Sequence, residues 1–92
     1  MYASIREYTT KDNAEVARRA QEGFVPIVRE VAGFSAYYMV DAGDKFFTVT
    51  LAEDQGGAEE SASKAREWVQ ENAADLVEGV AAVNNGEVVA QS

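Results

Sequence analysis

Trp68 and Asn72 stand one helical turn apart, so an indole N–H and an amide could converge on a single bound molecule and polarise it. The plainer reading is that Trp68 fills a core and Asn72 caps a backbone group at its edge. Phe24 and Tyr38 are candidates for the walls of the same cavity, with a break at Pro26 opening a mouth in the first helix. Arg6 and Tyr37 suit a polar network between packed sheets. Asp41, Asp44, Glu53 and Asp54 carry hard oxygen ligands, but they fall at turns and strand ends, where carboxylates form a solvated edge.

What the chain lacks narrows the chemistry further. It has no Cys and no His, which excludes a thiolate zinc site, a Cys nucleophile, a His-ligated haem and a Ser-His-Asp triad. No glycine-rich phosphate loop is present. The composition therefore points to no metal and no cofactor. With 16 acidic against 8 basic residues the net charge is −8, and no basic cluster extends beyond Arg18-Arg19, so nucleic acid and anionic membranes are poor partners. No apolar run approaches the roughly 20 residues of a membrane span, and Met1 to Tyr8 has no apolar leader core, so the cytoplasm is the expected compartment.

Ninety-two residues, 47% of them hydrophobic, suit one globular domain over 1–92. A chain of 10.0 kDa should keep roughly 5,000 Å² accessible out of about 14,500 Å² unfolded, a modest core for a monomer.

The elements that must position these residues follow from periodicity. Tyr2 to Thr9 alternates as a strand. Thr10 or Asp12 can cap the next helix, with Glu15 three residues after Asp12. Val16, Ala20, Phe24, Ile27, Val28 and Val31 form its apolar stripe, broken near Gly23 to Val25 by Gly23 and Pro26. Gly33 suits a left-handed position after the last turn. Phe34 to Asp41 and Lys45 to Glu53 alternate about Ala42-Gly43 as a hairpin, pairing Tyr38 with Phe47, Ala36 with Val49 and Phe34 with Leu51; a shift of two leaves the same faces. Asp54 to Gly57 is a turn. A second helix starts around Ala58 with the stripe Ala58, Ala62, Ala65, Trp68, Val69, Asn72 and Leu76. Gly79 to Gly86 reads as a connector and Glu87 to Gln91 as a short last strand.

This order predicts an α+β, ferredoxin-like βαββαβ fold, a four-stranded antiparallel sheet with two helices on one face. The more aliphatic face, with Ile5, Phe34, Tyr38, Phe47, Val49 and Leu51, is expected to take the helices. The face carrying Arg6, Tyr8, Tyr37, Phe46 and Thr48, with Tyr2, Met39 and Thr50, is then left to pair with a second copy.

Gly33-Phe34-x-x-Tyr37-Tyr38, the Asp41-Ala-Gly-Asp44 hairpin, Glu53-Asp54, Glu59-Glu60-Ser61 and Trp68-Val69-x-Glu71-Asn72 resemble the dimeric α+β barrel superfamily, specifically its small antibiotic biosynthesis monooxygenase-type proteins. The likeness covers nearly the whole chain. It implies a homodimer with a small apolar cavity per subunit, binding a small aromatic or quinol-type ligand. It further implies cofactor-free monooxygenation, in which the deprotonated substrate itself reacts with oxygen. On that pattern Trp68 and Asn72 are the catalytic candidates, and Phe24, Phe34, Tyr38, Phe47 and Val49 the ligand-binding ones. An Asn one turn before the Trp falls on Lys64 here, with Asn72 one turn after instead. The haem-degrading relatives need a His, which this chain lacks. The alternative is a ligand-binding or structural dimer of the same fold without chemistry.

Overall fold

The computed structural model describes the whole chain, Met1–Ser92. Its order is β1 (Tyr2–Thr10), α1 (Asn13–Gly23), α2 (Val25–Val28), β2 (Phe34–Asp41), β3 (Phe46–Ala52), α3 (Gln55–Asn72) and β4 (Val77–Glu87). The strands form one antiparallel sheet in the order β2-β3-β1-β4, the ferredoxin-like arrangement. No helix is long and apolar enough to cross a membrane.

Local chemistry sets most of the boundaries. The Asp12 carboxylate accepts from the Glu15 backbone N–H at 3.1 Å and opens α1. Glu15 does not reach back to complete a capping box; its carboxylate goes to Arg18 and Arg19 instead. α1 gives way at Phe24 to the single turn of α2, whose first turn holds Pro26, and Gly33 takes φ 81° where the chain leaves it. The hairpin closes with Ala42 N–H donating to Lys45 O at 2.9 Å, and Gly43 at φ 88°. Asp54, four residues upstream of the expected start at Ala58, caps α3 through the Gly57 N–H at 2.8 Å.

The hairpin register is displaced by two from the expected one, pairing Tyr38 with Val49, Val40 with Phe47 and Ala36 with Leu51. From Ala36 onward the faces are unchanged by that shift, but the helices take the other one; an irregularity between Phe34 and Ala36 carries Phe34 alone across to the helix side. Buried under them lie Ser4, Arg6 and Tyr8 of β1 and Phe46, Thr48, Thr50 and Ala52 of β3. Ile5, Tyr38 and Val40 are 42%, 56% and 46% exposed on the helix-free face. Residue size explains the inversion. The start of α3 carries Gly57, Ala58 and Ser61, all buried, and a Cβ on Gly57 would meet Ala52 Cβ at 3.1 Å and Ala32 O at 3.0 Å. So close a helix fits only over small strand residues, Ala52 and the two threonines, and not over Leu51, Val49 and Phe47. Aliphatic content was the wrong criterion.

The face of Arg6, Tyr8, Tyr37, Phe46 and Thr48 is therefore the floor of the subunit's own core and cannot be a dimer surface. That core joins Ala20, Phe24, Val28, Trp68 and Ala73 to Tyr8, Val16 and Phe46, with Met39 and Val77 touching both groups. The last strand also differs from expectation: the supposed connector Gly79 to Gly86 is strand, because β4 pairs along the full length of β1 with two register shifts. Beyond Glu87 the chain has no regular structure.

An ionic cluster ties α1 to the end of α3. Arg19 donates to Asp75 at 2.8 and 3.2 Å and to Asn72 O at 3.1 Å, and shares Glu15 with Arg18. Arg18 and then Arg19 hold the Glu15 carboxyl down to about 2, and Arg19 lowers that of Asp75. These carboxylates bind protons less readily folded than unfolded, so their contribution is complete above the ordinary carboxylate range and lost as pH falls through it toward 2. The melting temperature should hold from neutrality to about pH 5 and fall below it. Arg19→Met should flatten that acid limb, as should high salt, because the cluster is exposed. Thermal melts from pH 7 to 2 check this.

Candidate functional site

Trp68 reaches the interior because α3 is long enough to carry its last third over α1. Its ring lies 5.9 Å from that of Phe24, which meets Tyr37 edge-on at 5.2 Å. Gly23 makes room for the indole: a Cβ there would come within 3.1 Å of Trp68 Nε1. The cavity beside this cluster measures only about 20 Å³, space for roughly one water. It is lined by Phe24, Tyr37, Trp68, Val69 and other apolar side chains. Burial, with Tyr8 adding to it, pushes the Tyr37 hydroxyl well above its ordinary range, so it stays a neutral donor.

Asn72 is exposed, and its amide donates to Trp68 O at 3.1 Å. Both side chains border a shallow groove with Arg18, Arg19, Glu22 and Gly23. Phe34 packs at the margin of the Phe24 and Trp68 cluster. Tyr38, Phe47 and Val49 belong to the helix-free face, so the sheet itself separates them from Trp68 and they cannot wall this cavity. The proposed ligand set thus divides, with Phe24 and Phe34 on the helix side. Asp41 binds Asn13 and the Gly43 N–H, Asp54 caps α3, and no three acidic side chains converge anywhere.

Larger spaces lie elsewhere, along the trough where α3 overlooks β1 and β4. One recess of about 200 Å³ is bordered by Tyr2, Ser4, Arg6, Glu59, Arg66 and Asn85 among others. A second, of about 290 Å³, is bordered by Arg6, Tyr8, Arg66, Val69, Val77 and Val80 among others. The second shares Tyr8, Val69 and Val77 with the small cavity against Trp68. Arg6 borders both. Arg6 is 9% exposed as a residue, and its Nε is buried without a hydrogen-bond partner. The sequence pattern Ser4-x-Arg6-x-Tyr8 marked these side chains as one face of a strand, and the inverted face assignment concealed that they line a ligand-sized space.

Compared by sequence, the chain matches no protein-family model and no curated protein. Solved structures are more informative. A Nitrosomonas europaea protein of unknown function superposes with a TM-score of 0.79 at 19% identity, over 99% of this chain and 91% of that one. A Chloroflexus aurantiacus protein provisionally named an antibiotic biosynthesis monooxygenase superposes at 0.70 and 12% identity, over 99% and 95%. These structures share the ferredoxin-like α+β fold of this chain. A variant of MhuD solved with two manganese protoporphyrin IX molecules per active site superposes too, with a TM-score of 0.68 at 17% identity over 100% and 98%. At these identities the likeness is one of architecture, shared by proteins of different function.

The packing around Trp68 separates its role from that of Asn72. Trp68→Ala should lower unfolding stability by about 3–5 kcal/mol. Asn72→Ala, losing one solvent-accessible hydrogen bond, should stay within about 1 kcal/mol of the parent. Urea unfolding monitored by circular dichroism distinguishes the two.

Proposed function

We propose that this barrel protein is a homodimer that binds a small aromatic or quinol-type molecule between its sheet and α3 and oxidises it with dioxygen without a cofactor. The observation that carries the reading is the recess beside Arg6, which shares Tyr8, Val69 and Val77 with the cavity against Trp68. A flat ring entering from the α3 and β4 side would displace those three side chains and stack toward the indole. Trp68 would then position the ring, with the neutral Tyr37 hydroxyl within the same cavity wall and Asn72 steadying the turn that carries Trp68. The oxidation needs no protein redox group: an activated methylene carbon and one dioxygen give a carbonyl and one water. The likeness to barrels with monooxygenase names supports this reaction class.

A binding-only dimer is the second reading. It is favoured by the 20 Å³ cavity and by the Asn72 amide being committed to a backbone carbonyl. An oxygen electrode with a panel of quinols and anthrones, run beside Trp68 fluorescence quenching, separates the two. Quenching with oxygen uptake that falls at least about tenfold in Trp68→Phe supports the oxygenase. Quenching without uptake supports binding alone, and an unquenched Trp68 across the panel overturns both.

The dimer surface of this proposal is the helix-free face, with Ile5, Tyr38, Val40, Phe47, Val49 and Leu51. Covering such a face with a second sheet removes an apolar surface from water at the spacing of a sandwich core. Sedimentation should give twice the 10.0 kDa chain mass, and Val49→Asp should shift it to the monomer. A wild-type monomer at micromolar concentration overturns the interface.

A further inference from the structure

The two buried side-chain polar atoms that lack any hydrogen-bond partner are Ser4 Oγ and Arg6 Nε. They sit two residues apart on β1, so both point to the helix side of the sheet. Both residues border the same recess. Ser4 is 3% exposed and Arg6 9%, so water is largely withheld from both. Buried polar groups are nearly always paired, and a buried donor left without a partner is costly. A chain with twice as many carboxylates as cations had ample means to neutralise Arg6. Its ion pairs are all elsewhere, joining Arg18, Arg19 and Lys45 to Glu15, Glu22, Asp75 and Glu7. Glu59 borders the recess, yet its carboxylate accepts from Gln55 Nε2 along α3. Arg66, exposed on α3 and also without an ion pair, borders both recesses and adds a second positive charge.

We infer that Arg6 and Ser4 form an oxyanion subsite, so that the trough between α3 and β4 takes ligands with a carboxylate or phenolate head and a small apolar body. This deepens the ligand-binding reading above and rests on the trough being the ligand's entry. A guanidinium offers parallel N–H donors to a planar oxyanion, and the Ser4 hydroxyl can donate to the same head. The apolar body has Tyr8, Val69, Val77 and Val80 to lie against. Since the molecule as a whole is acidic, a local pair of arginines is what admits an anion at all. The same charge would favour the ionised form of a bound phenol, which is the electron-rich form that reacts with oxygen.

The test compares matched pairs in calorimetric titration and thermal melts: 1-naphthoate against 1-naphthamide, and an ionisable nitrophenol followed across its own titration, with acetate and inorganic phosphate as heads without a body. In the wild type the anion should bind at least about tenfold tighter than its neutral isostere, and nitrophenol binding should follow the phenolate fraction. Arg6→Met should abolish the preference while melting at the same or a higher temperature in ligand-free buffer, since it replaces an arginine whose buried Nε has no partner by an apolar chain of similar length. Ser4→Ala should weaken the naphthoate several-fold and leave the naphthamide unchanged.

Equal binding of naphthoate and naphthamide by the wild type overturns the oxyanion subsite and leaves the aromatic-binding reading standing. Anion binding that depends on Arg6 but brings no oxygen uptake with any substrate overturns the oxygenase reading and leaves the subsite standing. A phenol that binds equally well on both sides of its titration refutes the subsite without recourse to any variant, as does Arg6→Met retaining the preference.

Discussion

The close seating of α3 on the sheet is the constraint from which the rest of the architecture follows. Gly57, Ala58 and Ser61 are buried at its start, Ser61 returning its hydroxyl to Gly57 O at 2.8 Å so that no donor is stranded there. Only a surface as low as Ala52, Thr50 and Thr48 can meet a helix at that distance. Once that face is chosen, the two-residue period of every strand assigns nearly all other side chains with it. Tyr8, Tyr37, Met39 and Phe46 become the floor of the core, Arg6 is drawn under α3, and Ile5, Tyr38 and Val40 are turned outward. One steric match at the end of β3 thus decides both the ligand space and the surface available to a second subunit.

Much of the fold was legible because it is written in local chemistry. The Asp12 cap, the break at Pro26, the left-handed Gly33 and the strand alternation each depend on a few adjacent residues, and each is present in the structure. The side of the sheet on which the helices lie is different in kind. It depends on the steric fit between two finished surfaces, the start of α3 and the end of β3, and aliphatic content is a poor proxy for that fit when the facing helix is built from Gly, Ala and Ser. The end of the chain was illegible for another reason. Val77 to Glu87 contains two glycines and two asparagines, which read as loop, yet it pairs with the central strand β1 throughout. Ladder hydrogen bonds to an already ordered neighbour override weak intrinsic propensity.

The candidate site divides along the same line. Phe24 and Trp68 could be brought together from helical spacing alone, because each stripe is a local pattern and the two helices share one core. Tyr38, Phe47 and Val49 were assigned by face, and they went to the wrong side with it. Arg6 was visible as an anomaly, a cation on a strand face otherwise rich in aromatic and hydroxyl side chains. Its meaning changed with the face: in a dimer core it would have met partners from another sheet, whereas beneath α3 it meets a recess.

Topology then explains why that recess lies where it does. The two long helices and the single turn of α2 must cover four strands, and α3 packs over β1, β3 and β2 while leaving the helix side of β4 beyond Val77 uncovered, with Val80 and Val83 nearly half exposed. An edge strand without a helix above it creates a trough beside the last covered strand, and that strand is β1. Arg6 sits at this boundary, its backbone fixed by ladders to β3 and β4 on both sides and the residue only 9% exposed. The surface ionic cluster shows the opposite arrangement, in which long side chains choose partners freely and every charge is matched. Rigid placement on a central strand is what leaves Arg6 unpaired, and the same rigidity is what a site needs to hold a planar oxyanion in one orientation.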